Sequence, residues 1–104
     1  MPRPFAPSTP GSAVVRSLED LGQRIRHARV SQGIRIDDAA ARCQVATGVL
    51  SRVENGKPVK SDGLLRVLGG LGLSVVVVDH AKALSLEAHL GELDGKTTAE
   101  GVGG

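Results

Sequence analysis

The residues of this chain whose types and spacing suit contact with nucleic acid lie between Gly33 and Gly56. At about 100° per residue on a helix, three aliphatic side chains of this segment fall on one side, namely Val49, Leu50 and Val53. The other side carries small polar groups and one guanidinium, from Thr47, Gly48, Ser51 and Arg52. Such a helix can be held on a bundle by its aliphatic side while its polar side faces base edges in the major groove of duplex DNA.

Catalytic and metal-binding chemistry is not indicated elsewhere in the sequence. His27, His80 and His89 are scattered, and none has a carboxylate or thiol at a spacing that suggests a site. The single cysteine, Cys43, excludes an intramolecular disulfide and falls where a helix residue that faces the core belongs. The sequence has no Cys/His ligand set for zinc. We therefore expect no enzyme activity, no metal site and no cofactor.

The composition indicates which kind of nucleic acid the chain would bind and in which compartment it would be found. Phe5 is the one aromatic residue among 104, which argues against stacking on unpaired bases and favours duplex DNA. Residues 17–60 hold eight Lys/Arg against five Asp/Glu, whereas residues 61–104 hold three against six. The basic half favours an anionic partner, although a plainly solvated surface has the same composition.

No apolar run approaches the roughly 20 residues of a membrane span and no signal peptide is evident, so we expect a cytoplasmic protein.

A helical domain must position these residues, and the sequence places its start at Ser17. Residues 1–16 contain four of the five prolines and predict a disordered arm. Ser17 and Asp20 resemble a capping box for a first helix that ends at Gly33. We expect the helix-turn-helix DNA-binding domain to cover residues 17–73.

Three further helices complete the predicted domain. The second is expected at about Ile36–Cys43, without a capping side chain, and the third from Thr47 to Asn55, ended by Gly56. Ser61 is the predicted N-cap of the fourth helix. This helix carries four leucines, namely Leu64, Leu65, Leu68 and Leu71.

Residues 74–80 predict a short strand, because they contain four consecutive β-branched residues, Val75, Val76, Val77 and Val78. A lone strand cannot satisfy its own backbone groups, and the chain offers no second strand of comparable quality. We predict that the segment pairs with the same segment of a second copy and forms a two-fold homodimer. A strand buried within one chain is the alternative.

The remaining residues, 81–104, form an acidic tail that we expect to be partly disordered. One weak helical pattern is present, with Ser85 as its cap and leucines at positions 86, 90 and 93. Beyond Asp94 the tail is rich in glycine and is expected to be mobile.

Several residues together resemble the Cro and lambda-repressor type of helix-turn-helix, also called the xenobiotic-response-element family. The resemblance rests on VLSRVENGK at 49–57 and LGGLGL at 68–73, together with Arg24–Arg29, Gly33 and Ala40. It covers about Leu18 to Leu73. It implies a mainly α fold, a bundle of four to five helices, here followed by one short β-strand that pairs across a homodimer.

The leucine-rich helix, the Leu-Gly-Leu link and the valine strand narrow the resemblance to antitoxins that partner HipA-type kinases. In those proteins the strand pairs across the dimer, and the dimer represses its own operon and holds the kinase toxin. The resemblance therefore implies double-stranded operator DNA, a second copy and a HipA-like kinase as partners. An ordinary autoregulatory repressor without a toxin, or an interaction module that has lost DNA binding, are the alternatives.

Carried over by position, the base-facing residues of the family fall on Thr47, Gly48, Ser51 and Arg52. Arg52 is the one that can form a bidentate contact with guanine, worth about 1–3 kcal/mol of discrimination; a contact with phosphate is the alternative. Asn55 and Lys57 match positions that hold phosphates, and Lys60 and Arg35 are further candidates on charge and expected exposure. Arg29 and Glu54 match an ion pair that joins the first helix to the recognition helix.

Three residues depart from the family pattern. Ile36 stands where a glutamine commonly grips a phosphate. Gln44 replaces the usual glycine of the turn, where a left-handed conformation costs roughly 1–2 kcal/mol. Ala46 replaces the Ser or Thr that caps the recognition helix, and Thr47 is expected to take over that role.

Overall fold

The first helix, α1 (Leu18–Ser31), begins where the sequence provides a cap. The Ser17 hydroxyl accepts a hydrogen bond from the Asp20 amide at 3.0 Å. The Asp20 carboxylate accepts one from the Arg16 amide at 3.0 Å, one residue before the donor of a standard capping box. The structure thus has the Ser17 cap that the sequence predicts for the first helix.

The computed structural model describes the backbone of residues 13–100 and the side chains of residues 13–90. After α1 come α2 (Ile36–Cys43), α3 (Thr47–Glu54), α4 (Ser61–Gly70) and α5 (His80–Glu100). The prediction of a mainly helical bundle is confirmed. Most of the predicted arm, residues 1–12, and the last four residues of the tail lie outside the described residues.

The turn between α2 and α3 has the left-handed conformation expected of the family's glycine position. Gln44 has φ 62° and ψ 43°, which is strained for a residue with a Cβ. The N-cap of α3 is Ala46, which makes no side-chain cap. Thr47 is already the first helical residue, so the expectation that it replaces the cap is wrong.

The fourth helix begins without a side-chain cap as well. Its N-cap is Lys60, and Ser61 is the first helical residue, so the predicted Ser61 cap is wrong. Leu65 lies exposed on the helix surface, and Val67 takes the buried position in its place.

The segment after α4 differs from the sequence prediction in its boundaries. Residues 73–79 have no regular secondary structure, and the described part of the chain contains no strand. His80, predicted as the last strand residue, begins α5, because the Asp79 carboxylate caps this helix by accepting from the Lys82 amide at 3.1 Å. Asp79 therefore replaces Ser85 as the cap. The helix continues past Asp94 to Glu100, where a mobile tail was expected.

The core is entirely aliphatic apart from the predicted buried Cys43. Its buried members come from α1 to α4 and the residue after α4, namely Ile25, Ala39, Ala40, Cys43, Leu50, Val53, Val67, Leu68 and Leu71. The Cys43 thiol donates to the Val67 carbonyl at 3.6 Å.

Within the described residues, no helix is both long and apolar enough to span a membrane.

Candidate nucleic-acid interface

The recognition helix α3 is fixed by its apolar side and exposed on its polar side. Leu50 and Val53 are buried in the core. Thr47, Gly48 and Arg52 are exposed and Ser51 is half-buried. The structure thus brings the four predicted base-facing residues onto the exposed side of one short helix.

Gly22 lets α1 approach α3 closely. A Cβ at this position would lie 2.5 Å from the Val53 carbonyl oxygen and 2.8 Å from that of Glu54, which a real side chain cannot do. Gly22 is not among the residues predicted from the sequence to matter for this helix contact. A glycine inside an otherwise well-formed helical pattern is the signal that points to such a close approach.

A bidentate ion pair joins α1 to the end of α3. Arg29 Nε lies 2.6 Å from Glu54 Oε2, and Nη2 lies 2.9 Å from Oε1. The third guanidinium nitrogen, Nη1, donates to the Ile34 carbonyl at 2.9 Å. The two side chains are only 13% and 5% exposed, so both charges are largely removed from water and are satisfied by each other. This pair fixes the C-terminal end of α3 and the turn that precedes α2.

The end of α3 forms a Schellman motif that determines where the following loop begins. Gly56 has φ 73°, the left-handed conformation that favours glycine. The Lys57 amide donates to the Arg52 carbonyl at 2.9 Å, and the Gly56 amide donates to the Val53 carbonyl at 3.1 Å. Lys57 therefore follows the recognition helix directly, in a backbone geometry fixed by two hydrogen bonds.

The Arg52 side chain bends toward the same loop. Its Nε and Nη2 both donate to the Pro58 carbonyl oxygen, at 3.2 Å and 2.9 Å. This contact was not predicted from the sequence, because residue types do not indicate which loop carbonyl a side chain will meet. Arg52 is exposed, so its guanidinium is accessible from solvent.

The predicted phosphate-binding residues are all exposed, but two of them already have internal partners. Asn55 Nδ2 donates to the Ser51 carbonyl at 2.8 Å. Arg35 Nε lies 3.5 Å from Asp37 Oδ1 in a well-exposed pair. For Lys57 and Lys60, which lie on either side of Pro58 and Val59, the described residues provide no ion-pair partner within 4.0 Å. Within the described residues, these two ammonium groups are therefore not neutralised by a neighbouring carboxylate.

The valine segment projects from the bundle. Val75, Val76, Val77 and Val78 are all exposed, and Val77 keeps 92% of its surface in water. Within the part of the chain that the structure describes, the backbone of residues 74–78 makes no hydrogen bond to another backbone group. The segment is thus free to pair, and the predicted strand across a homodimer stays a prediction.

Comparisons with known proteins agree with this geometry. Residues 20–81 match the family model of a helix-turn-helix domain. The crystal structure of the clp gene regulator ClgR from C. glutamicum is 34% identical, over 70% of this chain and 90% of that chain, with a TM-score of 0.50.

A chain of a HipA-HipB-O2-O3 complex is similar in fold, with 19% identity over 64% of this chain and 94% of that chain, and a TM-score of 0.59. A comparison with curated proteins gives no match. The resemblance to the Cro and lambda-repressor type is confirmed, and the chain belongs to the helix-turn-helix domain family.

Proposed function

We propose that this protein is a sequence-specific transcriptional repressor that binds operator DNA as a homodimer. The observation that carries the proposal is the fixed orientation of α3. Buried aliphatic residues and the Arg29–Glu54 pair hold one side of the helix, which leaves its polar side in solvent. The 34% identity with ClgR, described as a gene regulator, supports a regulatory role.

In this proposal residues 17–73 are the DNA-binding domain and each side chain has a distinct role. Thr47, Gly48, Ser51 and Arg52 face base edges in the major groove and provide sequence preference. Arg35, Asn55, Lys57 and Lys60 contact phosphates, which provide affinity and register but no sequence information.

The salt dependence of binding tests this assignment. With DNA from the chain's own promoter, we expect the logarithm of the affinity to fall steeply with the logarithm of salt concentration. Lys57→Ala removes one phosphate contact and should reduce the slope by about one unit per half-site. Lys82→Ala, an exposed lysine on α5, is the matched control and should leave the slope unchanged. Affinity that does not respond to salt, or equal slopes in the two variants, contradicts the proposal.

The homodimer is proposed to form through residues 74–80, which pair with the same residues of a second copy. Two linked recognition helices are needed because half-sites one turn of DNA apart must be bound together. The exposed valines and their unpaired backbone support this arrangement. Val77→Asp would place a charge in the paired strand and should yield a monomer in sedimentation equilibrium. A Val77→Asp variant that remains a dimer contradicts the strand model.

A second candidate function is that of an antitoxin for a HipA-type kinase, whose operon the dimer also represses. The fold likeness to a chain of the HipA-HipB-O2-O3 complex, which spans 94% of that chain, favours this candidate. The acidic composition of residues 61–104, with three Lys/Arg against six Asp/Glu, also suits a second partner. The test is co-expression with the product of the neighbouring gene, if that gene encodes a kinase-like protein. A stoichiometric complex and loss of kinase activity support the antitoxin, whereas a regulator without a toxin shows neither.

A further inference from the structure

The contact between Arg52 and Pro58 uses one edge of the guanidinium and leaves the other edge unoccupied. Nε and Nη2 converge on the Pro58 carbonyl oxygen. Among the described residues, Nη1 has no hydrogen-bond partner. A guanidinium is planar and carries five N–H donors in a rigid fork, so fixing one edge also fixes the direction of the other.

The unoccupied edge consists of Nη1 and the outer N–H of Nη2. These two donors are parallel, which is the arrangement that binds O6 and N7 of guanine in the major groove. An arginine held in one orientation before it meets DNA loses less side-chain freedom on binding, and its base preference is correspondingly stronger.

The acceptor itself is held firmly. The Lys57 amide donates to the Arg52 backbone carbonyl, so both the main chain and the side chain of Arg52 are tied to the same loop. Val59, the residue that follows Pro58, packs against the core, and the pyrrolidine ring of Pro58 restricts φ. The loop therefore presents the carbonyl oxygen at a fixed position.

We propose that the Pro58 carbonyl is a positioning group that directs the Nη1/Nη2 edge of Arg52 toward one guanine, so that the α3–α4 loop sets base preference. The inference rests on the proposed function, since it requires DNA in contact with α3. It assigns a specificity role to a residue with no polar side chain.

The test compares the operator with versions in which each G·C pair is replaced singly. We expect Arg52→Lys to abolish preference at one base pair, a loss on the order of 10- to 100-fold in discrimination. Pro58→Gly keeps the carbonyl but frees the backbone, and should weaken preference at the same base pair by about 3- to 10-fold. The double variant should show no further loss of base preference beyond that of Arg52→Lys alone, because the two residues act as one unit.

A second variant tests the same hydrogen bond if Pro58→Gly does not fold. Replacing the Pro58–Val59 amide by an ester weakens the acceptor while leaving every side chain in place, and should reduce preference at that same base pair. Without DNA, the Arg52 Nε–H proton should exchange with solvent more slowly in the wild type than in the ester variant.

Three results overturn the inference. One is full base preference in both the ester and the glycine variants. The second is an equal loss on operator and non-specific DNA, which means that Pro58 serves only the loop. The third is an additive effect of Pro58→Gly and Arg52→Lys. Failure of the wild type to bind its promoter in a salt-dependent way refutes the proposed function first and removes this inference with it, so the two failures are distinguishable.

Discussion

Breaking the ion pair between α1 and α3 from one side should cost more stability than removing both partners. Glu54→Leu leaves the Arg29 guanidinium with the Ile34 carbonyl as its remaining protein acceptor. The Arg29 side chain is only 13% exposed, so water cannot fully replace the lost carboxylate. The double variant Arg29→Met with Glu54→Leu removes both charges and fills much of the same space with apolar atoms.

The magnitude follows from this burial. Removing one member of a buried pair typically costs 3–5 kcal/mol, while replacing both members by apolar residues is often nearly neutral. A small domain is stabilised by about 5–15 kcal/mol in total, so the single variant loses a large share of its stability. At about 4–8 °C per kcal/mol for a domain of this size, its melting temperature should fall by at least roughly 10 °C.

Urea denaturation followed by circular dichroism measures the effect. Arg66→Ala is the matched control, because it breaks the exposed Arg66–Asp62 pair at 3.8 Å and should change stability by less than about 0.5 kcal/mol. A Glu54→Leu variant that is as stable as the double variant, or that loses no more than Arg66→Ala, refutes the reasoning.

Three further predictions concern packing, backbone strain and the thiol. Gly22→Ala should lower the free energy of unfolding by several kcal/mol, because the new Cβ would collide with the Val53 carbonyl. Gly69→Ala is the control: its Cβ would lie in open space, so the free energy of unfolding should stay the same or rise by up to about 1 kcal/mol. Urea denaturation measures both changes. Gln44→Gly relieves the left-handed strain and should raise the free energy of unfolding by about 1 kcal/mol, whereas a lower unfolding midpoint would contradict it. Burial raises the pKa of the Cys43 thiol above its ordinary value. Labelling of this thiol by a disulfide reagent at pH 8 should therefore be slow and should accelerate only when urea unfolds the chain. Rapid labelling of the folded protein would refute this prediction.

The helices that carry the candidate interface were predictable, since strong local signals agree with the tertiary contacts. Ser17 caps α1, and Gly56 ends α3 through a Schellman motif. The residue types at these two positions determine backbone hydrogen bonds within a few residues, so the sequence alone specifies them. The left-handed turn at Gln44 was expected only from the position of the family's glycine, because glutamine itself does not favour that conformation.

Features that depend on tertiary packing or on weak local signals were predicted less well. The caps of α3 and α4 could not be located, because Ala46 and Lys60 provide no side-chain acceptor. The Arg52–Pro58 contact depends on a loop carbonyl, which no residue pattern encodes. The length of α5 was underestimated, because its apolar pattern is weak and Asp79 was assigned to the end of the strand instead of to the helix cap.

The most direct test of the account is protection of guanine N7 from methylation on the chain's own promoter DNA. Because α3 is proposed to lie in the major groove in two linked copies, the predicted result is two protected patches whose centres are about 10 base pairs apart. Protection should be lost in Val77→Asp at concentrations where the wild type is bound. Full methylation of every guanine N7 in the presence of bound wild-type protein would contradict the central claim that the polar side of α3 faces base edges.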